Sequence, residues 1–380
     1  MRPQRLFQAA LVTVLLTSCG TLPLLRFTSA AWWSSLPTGT APATYVALSC
    51  TTAMCLAVGQ EATASNGSAL PLIVSMSLNS SRVVQVHSNL LSRKDTLSSV
   101  SCQTDGTCWL VGDRTTSHGS QTLILSYQRG TLKELPSPNA PAPFNQNDLT
   151  AITCPTSSSC WAVGQATNPL NTGYVLIEHL SEGTWNMEKT PATDPTGAAQ
   201  LSAVACTSPG SCTAVGSASS ETTAHSPRAL IEELSDHSWH TVRIPLMNDV
   251  STLSGVSCPQ FDFCRAVGSL TSSNGTLYPF LVTEAAGKWT SEILSEKTPT
   301  TLSGITCPDV TICYAVGTTA PANAPGMHFA VRWTTSGWRS ISLPVQPGTS
   351  LVAISCQTTA LCHAVGSAGV NGEGIVLHST

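Results

Sequence analysis

The sequence predicts an all-β fold, and more specifically a seven-bladed β-propeller with four-stranded blades. Three observations lead to this prediction. The chain is 42% hydrophobic but only 10% charged, with many Ser, Thr, Gly and Pro residues, a composition that suits short strands joined by polar turns. One motif recurs seven times with a period near 50 residues, which is typical of a propeller blade. The cysteines also recur, as seven close pairs.

The repeated motif contains two cysteines followed by a short run that ends in Val-Gly. Its first cysteines are separated by 52 or 49 residues from one copy to the next. This regularity indicates one large repeat-built domain rather than several unrelated domains. The seven copies read YVALSCTTAMCLAVG, LSSVSCQTDGTCWLVG, LTAITCPTSSSCWAVG, LSAVACTSPGSCTAVG, LSGVSCPQFDFCRAVG, LSGITCPDVTICYAVG and LVAISCQTTALCHAVG.

Each repeat is predicted to contain four strands, which we name A to D in chain order. Strand A is the run that ends at the first cysteine, and strand B follows the second cysteine. Strand C is an apolar run such as residues 174–177, and strand D often runs from a Trp to a Pro, as in residues 185–191. The Gly or Ser residues between strands C and D predict a tight turn.

The last repeat lacks a strand D, because the sequence ends at Thr380 soon after its strand C. Residues 32–37 read WWSSLP and are similar to the Trp-to-Pro strand D of other repeats. We therefore expect this N-terminal strand to complete the seventh blade and close the ring, which would remove an open sheet edge. The predicted propeller spans residues 32–380.

The N-terminal residues have the pattern of an export signal. Arg2 and Arg5 precede the apolar run of residues 6–16, which is shorter than the roughly 20 residues that a membrane-spanning helix needs. The run ends in LTSCG, which resembles the lipobox of bacterial lipoproteins, and the cysteine of that motif is Cys19.

This resemblance implies a signal peptide over residues 1–18 and a lipidated Cys19 that begins a tether over residues 19–31. The protein would then be held at the cell membrane or envelope, outside the cytoplasm, by its lipid. The alternative is ordinary signal-peptidase cleavage after Ala30, which would release a soluble protein.

The remaining cysteines are predicted to form one disulfide in each A–B hairpin. An even set of cysteines in an exported protein is typical of disulfides, and opposed residues of a hairpin lie close enough to be bridged. Zinc is the alternative ligand, but it needs two close pairs that converge on one point. The predicted pairs are Cys50/Cys55, Cys102/Cys108, Cys154/Cys160, Cys206/Cys212, Cys258/Cys264, Cys307/Cys313 and Cys356/Cys362. Since they close the A–B hairpins, we expect them to line one rim of the ring.

Two sets of residues are candidates for binding a partner. The first lies in the longer B–C and D–A loops, on the rim opposite the disulfides, where a rigid scaffold usually carries its binding residues. The second is the variable residue directly after the second cysteine, which either faces a partner or occupies a tolerant edge position. The loop set is Arg114, His118, His225, Arg228, Asn274 and Asn323. The second set is Leu56, Trp109, Trp161, Thr213, Arg265, Tyr314 and His363.

The Cys-x5-Cys-x-Ala-Val-Gly repeat is similar to repeats of uncharacterised secreted bacterial propellers, across nearly the whole predicted propeller. More distantly, the chain resembles sialidase-type propellers with Asp boxes. Residues 242–245 (VRIP) resemble the F/Y-R-I-P motif, and residues 104–109 (TDGTCW) resemble an Asp box. The first lies in an ordinary strand D and the second in an A–B hairpin, so neither occupies the position that the family gives it.

These observations favour a non-enzymatic scaffold that is anchored to a membrane and presents one propeller face to a protein or glycan. A net charge of −4 with no basic cluster argues against nucleic acid as a partner. No catalytic, metal or cofactor motif is present, and we expect a monomer without a cofactor. The alternative function is a glycan-processing hydrolase or lyase with its site in the central depression. A structural envelope protein without a ligand is a third possibility.

Overall fold

The computed structural model describes most of the predicted propeller. It covers residues 33–36, 43–62, 69–77, 82–86, 89–191, 197–219, 226–245, 250–321, 326–343, 345, 348–368 and 373–379. The expected signal peptide, Cys19 and the tether lie outside these residues, as do His225 and Asn323 of the loop set. No helix in the described part of the chain is long and apolar enough to cross a membrane.

The described residues form 28 β-strands, which belong to one compact unit made by residues 32–380. The first strand is β1 (Trp33–Leu36). Repeat 1 contains β2 (Ala43–Cys50), β3 (Met54–Ala62), β4 (Ala69–Ser77) and β5 (Arg82–Gln85), and repeat 2 contains β6 (Asp95–Cys102), β7 (Cys108–Thr116), β8 (Gly119–Gln128) and β9 (Thr131–Leu135). Repeat 3 contains β10 (Gln146–Thr156), β11 (Ser159–Thr167), β12 (Gly173–Ser181) and β13 (Thr184–Met187).

The later repeats follow the same order. Repeat 4 contains β14 (Ala198–Ser208), β15 (Ser211–Ser219), β16 (Arg228–Ser235) and β17 (Ser238–Thr241). Repeat 5 contains β18 (Val250–Gln260), β19 (Phe263–Thr271), β20 (Leu277–Ala285) and β21 (Lys288–Ile293). Repeat 6 contains β22 (Thr300–Asp309), β23 (Ile312–Thr319), β24 (Met327–Thr334) and β25 (Gly337–Ser340), and repeat 7 contains β26 (Ser350–Cys356), β27 (Cys362–Ala368) and β28 (Glu373–Ser379).

Within a repeat the strands pair in chain order and are antiparallel, so that A lies at one edge of a sheet and D at the other. Repeats 2 and 3 are also joined by a single parallel bridge between Ser120 and Gln146. In repeat 7, the strand beside β28 is β1, whose residues Trp33 and Leu36 pair with Ser379 and Val376.

The A strands are the inner strands of the structure. Each contacts the A strand of the next repeat, and β26 of repeat 7 contacts β2 of repeat 1. Three consecutive residues from each of the seven A strands line one shared cavity of about 260 Å³.

The hydrophobic core lies between neighbouring sheets. In repeat 3, Ala162 and Leu176 pack with residues of repeat 2, whereas Val163 and Ile177 pack with residues of repeat 4. Strands B and C are therefore covered on both faces, and this explains why successive residues in them are apolar instead of alternating with polar ones.

Every strand A carries a bulge, and the glycine of the Val-Gly pair lies opposite it. In repeat 4 the register shifts between Leu201 and Ala203, and Leu201 is the partner of Gly216. A Cβ atom added at Gly216 would overlap the backbone carbonyl oxygen of Gln200. The same shift occurs in all seven repeats. The motif therefore ends in glycine because the bulged strand A leaves no space for a side chain.

The residue before the first cysteine links one repeat to the next. Because strand A is at the edge of its sheet, its outer N–H groups have no partner strand and need another acceptor. In five repeats the first cysteine donates its backbone N–H to a Ser or Thr hydroxyl of the preceding repeat, at 2.9–3.4 Å. The pairs are Cys102–Ser49, Cys154–Ser101, Cys307–Ser257, Cys356–Thr306 and Cys50–Ser355. The last of these joins repeat 1 to repeat 7.

All seven predicted cysteine pairs are joined by disulfides in the structure, with Cα atoms 4.0–4.2 Å apart. Each bridge closes the end of an A–B hairpin. The bridges are Cys50–Cys55, Cys102–Cys108, Cys154–Cys160, Cys206–Cys212, Cys258–Cys264, Cys307–Cys313 and Cys356–Cys362.

The bridges lie at the ends of the A–B hairpins, next to the turns, and their second sulfur atoms are also deeply buried. The second cysteine of each pair is at most 4% exposed, and Cys160 and Cys313 are completely buried. Cys160 packs with Leu176 in the core between repeats 2 and 3, and Cys313 packs with Phe329 in the core between repeats 5 and 6. The reason is that the second cysteine belongs to the hairpin strand B, which neighbouring sheets cover on both faces. The second cysteines are therefore part of the core, directly beneath the A–B turns that the bridges close.

Replacing Gly216 with Ala is expected to lower the free energy of unfolding by about 1–3 kcal/mol, because the new methyl group collides with the backbone of strand A. Gly210 in the A–B turn of the same hairpin is a matched control, since a Cβ there meets nothing within 4 Å. The Gly210→Ala variant should change the free energy by less than about 0.5 kcal/mol. Urea unfolding followed by circular dichroism measures both. Equal losses in the two variants would contradict the packing role of Gly216.

Replacing Ser101 with Ala is expected to lower the free energy of unfolding by about 1 kcal/mol, because the N–H of Cys154 then loses its acceptor. The Ser101→Thr variant keeps a hydroxyl at this position, as repeat 6 does naturally with Thr306, and should retain most of the stability. Urea unfolding measures both variants. A similar loss in both would show that the size of the side chain matters there and the hydroxyl does not.

Candidate functional site

The antiparallel strands place the turns on two rims. The A–B and C–D turns lie on one rim, which we call the disulfide rim; in repeat 2 it is formed by residues 103–107 and 129–130. The B–C turns and D–A segments lie on the other, the loop rim, formed in repeat 2 by residues 117–118 and 136–145. Backbone hydrogen bonds join neighbours on each rim, for example Ser120 N–H to Asn145 O on the loop rim.

Arg114 of the loop set is held by two carboxylates. Its Nε donates to Asp95 Oδ1 at 2.5 Å, and its Nη1 and Nη2 donate to Glu134 at 2.8 and 3.1 Å. Asp95 is buried and also accepts from the backbone and hydroxyl of Ser92. These carboxylates raise the pKa of Arg114 further above its ordinary value. The charge of Arg114 is therefore satisfied within repeat 2, and the residue fixes the end of strand B.

The other described loop residues differ in their roles. His118 is exposed at the B–C turn of repeat 2, where its Nδ1 lies 2.9 Å from the hydroxyl of Ser117. Asn274 accepts the N–H of Thr276 at 3.0 Å and shapes its own turn in repeat 5. Arg228 begins β16 and is half-buried. Among the described residues, Arg114, His118, Arg228 and Asn274 share no hydrogen bond or ion pair with one another, so they do not form one assembled site.

The residue after the second cysteine does not face a partner, and it is not at a tolerant edge. All seven are at most 8% exposed. Trp109 and Trp161 contact Trp185 and Trp239, the strand D tryptophans of the following repeats, edge to face with ring centroids 5.8 and 5.4 Å apart. The interpretation of this position as partner-facing is therefore wrong.

The polar atoms of these residues reach the next repeat. The Nε1 of Trp161 donates to Pro209 O at 3.0 Å, and the hydroxyl of Tyr314 donates to Thr359 O at 2.9 Å. Both acceptors lie in the A–B turn of the following repeat. The residue type varies at this position because each side chain fills a differently shaped space between two neighbouring sheets. The sequence of one repeat does not show that space, because the next sheet forms one of its walls.

Three carboxylates lie near one another on the loop rim of repeats 2 and 3. Burial, together with the negative charges of Asp148 and Asp95, raises the pKa of Asp113 to about 6. Asp148 accepts a hydrogen bond from the hydroxyl of Ser120 at 2.6 Å. A carboxyl group with a raised pKa beside an ionised one can serve as a proton donor. This cluster was missed from the sequence, because its members come from strands of two different repeats.

Two further carboxylates are enclosed in the core. Glu178 and Glu232 occupy equivalent positions on β12 and β16, and neither side chain is exposed. Burial raises the pKa of Glu178 to about 8, opposed by its hydrogen bonds with Ser137 and Thr122, and raises the pKa of Glu232 to about 7. A substrate cannot reach groups that are completely enclosed, so these residues affect stability rather than chemistry.

The central cavity is lined by apolar residues, Gly, Ser and Thr, and no carboxylate belongs to its described lining. The closest set of potential metal ligands in the described part of the chain is Cys50, Cys55 and His363, whose ligand atoms lie within 4.8 Å of one another. Both sulfur atoms are already bonded in a disulfide, so they are not the thiolates that a metal requires.

Replacing Glu178 with Gln is expected to stabilise the protein increasingly as the pH rises from 5 to 8. The folded state raises the pKa of Glu178 from 4.5 to about 8, so between these values it binds more protons than the unfolded state and loses stability as the pH rises. Gln remains neutral and does not show this loss. The Glu182→Gln variant, which removes an exposed carboxylate of the same repeat, is the control. Urea unfolding at pH 5 and pH 8 measures the difference from the wild type, and a constant difference would contradict the prediction.

No family model matches the sequence, and no curated protein matches it.

Several solved structures are similar in fold. The protein YCF48 from Cyanidioschyzon merolae has a TM-score of 0.56 at 12% identity, covering 92% of this chain and 98% of its own. A structure of YCF48 bound to D1 peptide has a TM-score of 0.53 at 12% identity, covering 92% and 95%. A protein of unknown function from Dyadobacter fermentans has a TM-score of 0.52 at 9% identity, covering 80% and 98%. At these identities the similarity concerns the fold alone: the chain is an all-β protein with β-propeller neighbours and repeated disulfides.

Proposed function

We propose that this protein is a lipid-anchored, non-enzymatic scaffold outside the cytoplasm, whose loop rim binds a protein partner. The proposal rests on a difference in side chains between the cavity lined by the A strands and the loop rim. The cavity on the axis has no carboxylate in its described lining. The loop rim presents exposed side chains such as His118 on strands that are tied together by disulfides and buried tryptophans. A rigid frame with variable loops suits binding better than a reaction on the axis.

The binding function is also supported by the similarity to YCF48, which has been solved with a bound D1 peptide. A propeller can therefore offer a peptide-binding face. The similarity does not indicate which face of the present protein is used, and for that we rely on the positions of its own loops.

The proposed scaffold is a monomeric ring of seven four-stranded blades, closed by the strand at residues 32–37. Three contacts between the N-terminal and C-terminal parts of the described chain support this arrangement. Strand β1 pairs with β28, β26 contacts β2, and the N–H of Cys50 donates to the hydroxyl of Ser355 at 3.2 Å. Trp32 and Pro37 themselves lie outside the described residues.

A second function is favoured by one specific observation. Burial and the charges of Asp148 and Asp95 raise the pKa of Asp113 to about 6, which suits the proton donor of a glycoside hydrolase. These three carboxylates would make the loop rim the site of a glycan-processing enzyme. Hydrolysis of a glycan by the purified protein, together with its loss in the Asp113→Asn variant, would show that the protein is an enzyme. The scaffold proposal would then be replaced.

The anchor is tested by replacing Cys19 with Ser. Because Cys19 would carry the lipid, the variant is expected to move from the membrane fraction to the soluble extracytoplasmic fraction of fractionated cells. A Ser18→Ala variant, which keeps the cysteine, is the control and should remain with the membrane. Membrane association of the Cys19→Ser variant at the wild-type level would exclude a lipid on this residue.

The binding face is tested by photo-crosslinking in the intact envelope. A crosslinking amino acid at His118 on the loop rim should give a discrete adduct with a second protein. The same amino acid at Asp105, which is exposed on the disulfide rim of the same repeat, is the control and should not give that adduct. Adducts from Asp105 alone would place the partner on the opposite rim and contradict the proposal.

A further inference from the structure

A small cavity on the disulfide rim, between repeats 4 and 5, is lined by three carboxylates. Its volume is about 110 Å³. Glu233 comes from β16 of repeat 4, Asp262 from the A–B turn of repeat 5, and Glu284 from β20. No Lys, Arg or His belongs to the described lining, so the negative charge is not compensated there. We call this the acidic cavity.

Glu284 occupies a position that most other repeats use for packing. It pairs with Cys264, the second cysteine of its repeat. At the same position opposite the second cysteine, five other repeats carry a mainly apolar side chain. These residues are Met76, Tyr127, Leu180, Leu234 and Trp333. Repeat 5 therefore has a carboxylate in place of a packing residue, and this change lowers stability unless the carboxylate is paired or hydrogen-bonded.

Glu284 is only 7% exposed, and it belongs to the lining of the acidic cavity. It receives no hydrogen bond from any residue that the structure describes. Burial, followed by repulsion from Glu233 and Asp262, raises the pKa of Glu284 to about 7. Glu233 is fixed in place, because the Nε1 of Trp289 donates to its Oε1 at 2.6 Å. The carboxylates are thus held near one another at an energetic cost that a bound cation would remove.

The geometry favours an organic cation over a metal ion. A metal needs several ligand atoms within a few ångströms of one centre, and among the described residues the carboxylates of this cavity do not form such a set within 4.8 Å. Phe261, by contrast, is 67% exposed and belongs to the cavity lining. An exposed aromatic ring beside carboxylates suits a side chain with an apolar stem and a cationic end.

We infer that the acidic cavity binds a lysine or arginine side chain of a protein partner, with the cationic end at Glu284 and the stem against Phe261. The identity of the ligand as a side chain of a partner rests on the proposed scaffold function. The cavity is on the rim opposite the proposed loop-rim face, so it constitutes a second contact region.

The inference is tested with short peptides and the full mature protein. The probes are Ac-Ala-Lys-Ala-NH2, its arginine counterpart, and Ac-Ala-Nle-Ala-NH2, in which norleucine keeps the stem and lacks the charge. Calorimetric or NMR titration is expected to give a millimolar dissociation constant for a cationic peptide, and at least tenfold weaker binding for the norleucine peptide. The Glu284→Gln variant should weaken binding of the cationic peptide at least tenfold.

Two further variants make the outcome decisive. Asp236→Asn removes one negative charge from the exposed C–D turn of repeat 4, outside the cavity lining, and should leave binding unchanged. Glu284→Leu introduces the residue that repeats 3 and 4 carry at this position, so it should fold at least as stably as the wild type and also lose binding.

Equal binding by the wild type and Glu284→Leu would overturn the inference, as would a titration in which Ca²⁺ binds and neither cationic peptide does. A loop-rim adduct that persists while the peptides fail to bind would overturn this inference alone and leave the proposed function standing.

Discussion

The structure depends on how the inner strand of each repeat satisfies its unpaired edge. Strand A has a partner strand on one side only, so its outer N–H groups require acceptors from elsewhere. A hydroxyl of the preceding repeat provides one, as Ser101 does for Cys154. The same contact between Ser355 and Cys50 links repeats that are 305 residues apart in sequence. In five repeats one short polar side chain thus ties a sheet to the next one, and other side chains fill the gap between the two sheets.

The bulge of strand A and the glycine of strand B form the second part of this arrangement. The bulge turns strand A so that its residues line the shared cavity, and it brings a backbone carbonyl against strand B. Only glycine fits there, as at Gly216. The disulfide at the other end of the hairpin then fixes the register of the same two strands. The A–B hairpin of each repeat is thus held at one end by the bulge and its glycine and at the other end by the disulfide. The B–C and D–A segments have no such constraint and can vary in length and sequence.

Features within one repeat were predictable from the sequence, whereas contacts between repeats were not. The cysteine spacing indicated the hairpins, and the Trp-to-Pro runs indicated strand D, because those patterns involve residues close together in the chain. The burial of Trp161 was not predictable, since its neighbour Trp239 belongs to the next repeat. Arg114 was selected as a binding residue because it was expected in a B–C loop, whereas it lies within β7. Its partner Asp95 lies on the neighbouring strand, and the strand register is needed to bring the two together.

The pairing and the burial of the cysteines differ in the same way. The pairing of Cys160 with Cys154 depends on a hairpin of a few residues, so the spacing of the two cysteines was enough to predict it. The complete burial of Cys160 and Cys313 depends on the neighbouring sheet, which contributes Trp109 to the core around Cys160 and Val267 to the core around Cys313. Spacing within one repeat therefore predicts which sulfur atoms are bonded, but it does not predict how deeply they lie.

Because the repeats share one strand order, the residue at a given strand position can be compared among all repeats. A residue type that differs from the others marks a candidate for a special role. The departure alone is not sufficient. Glu178 replaces an apolar residue, but its carboxyl group is completely buried and accepts a hydrogen bond from the hydroxyl of Ser137. It can therefore stay protonated inside the core and needs no ligand. Glu284 also replaces an apolar residue, yet it faces an open cavity whose other acids repel it. Access to solvent and the sign of the neighbouring charges therefore distinguish a carboxyl that the core accommodates from one that is available to bind a cation.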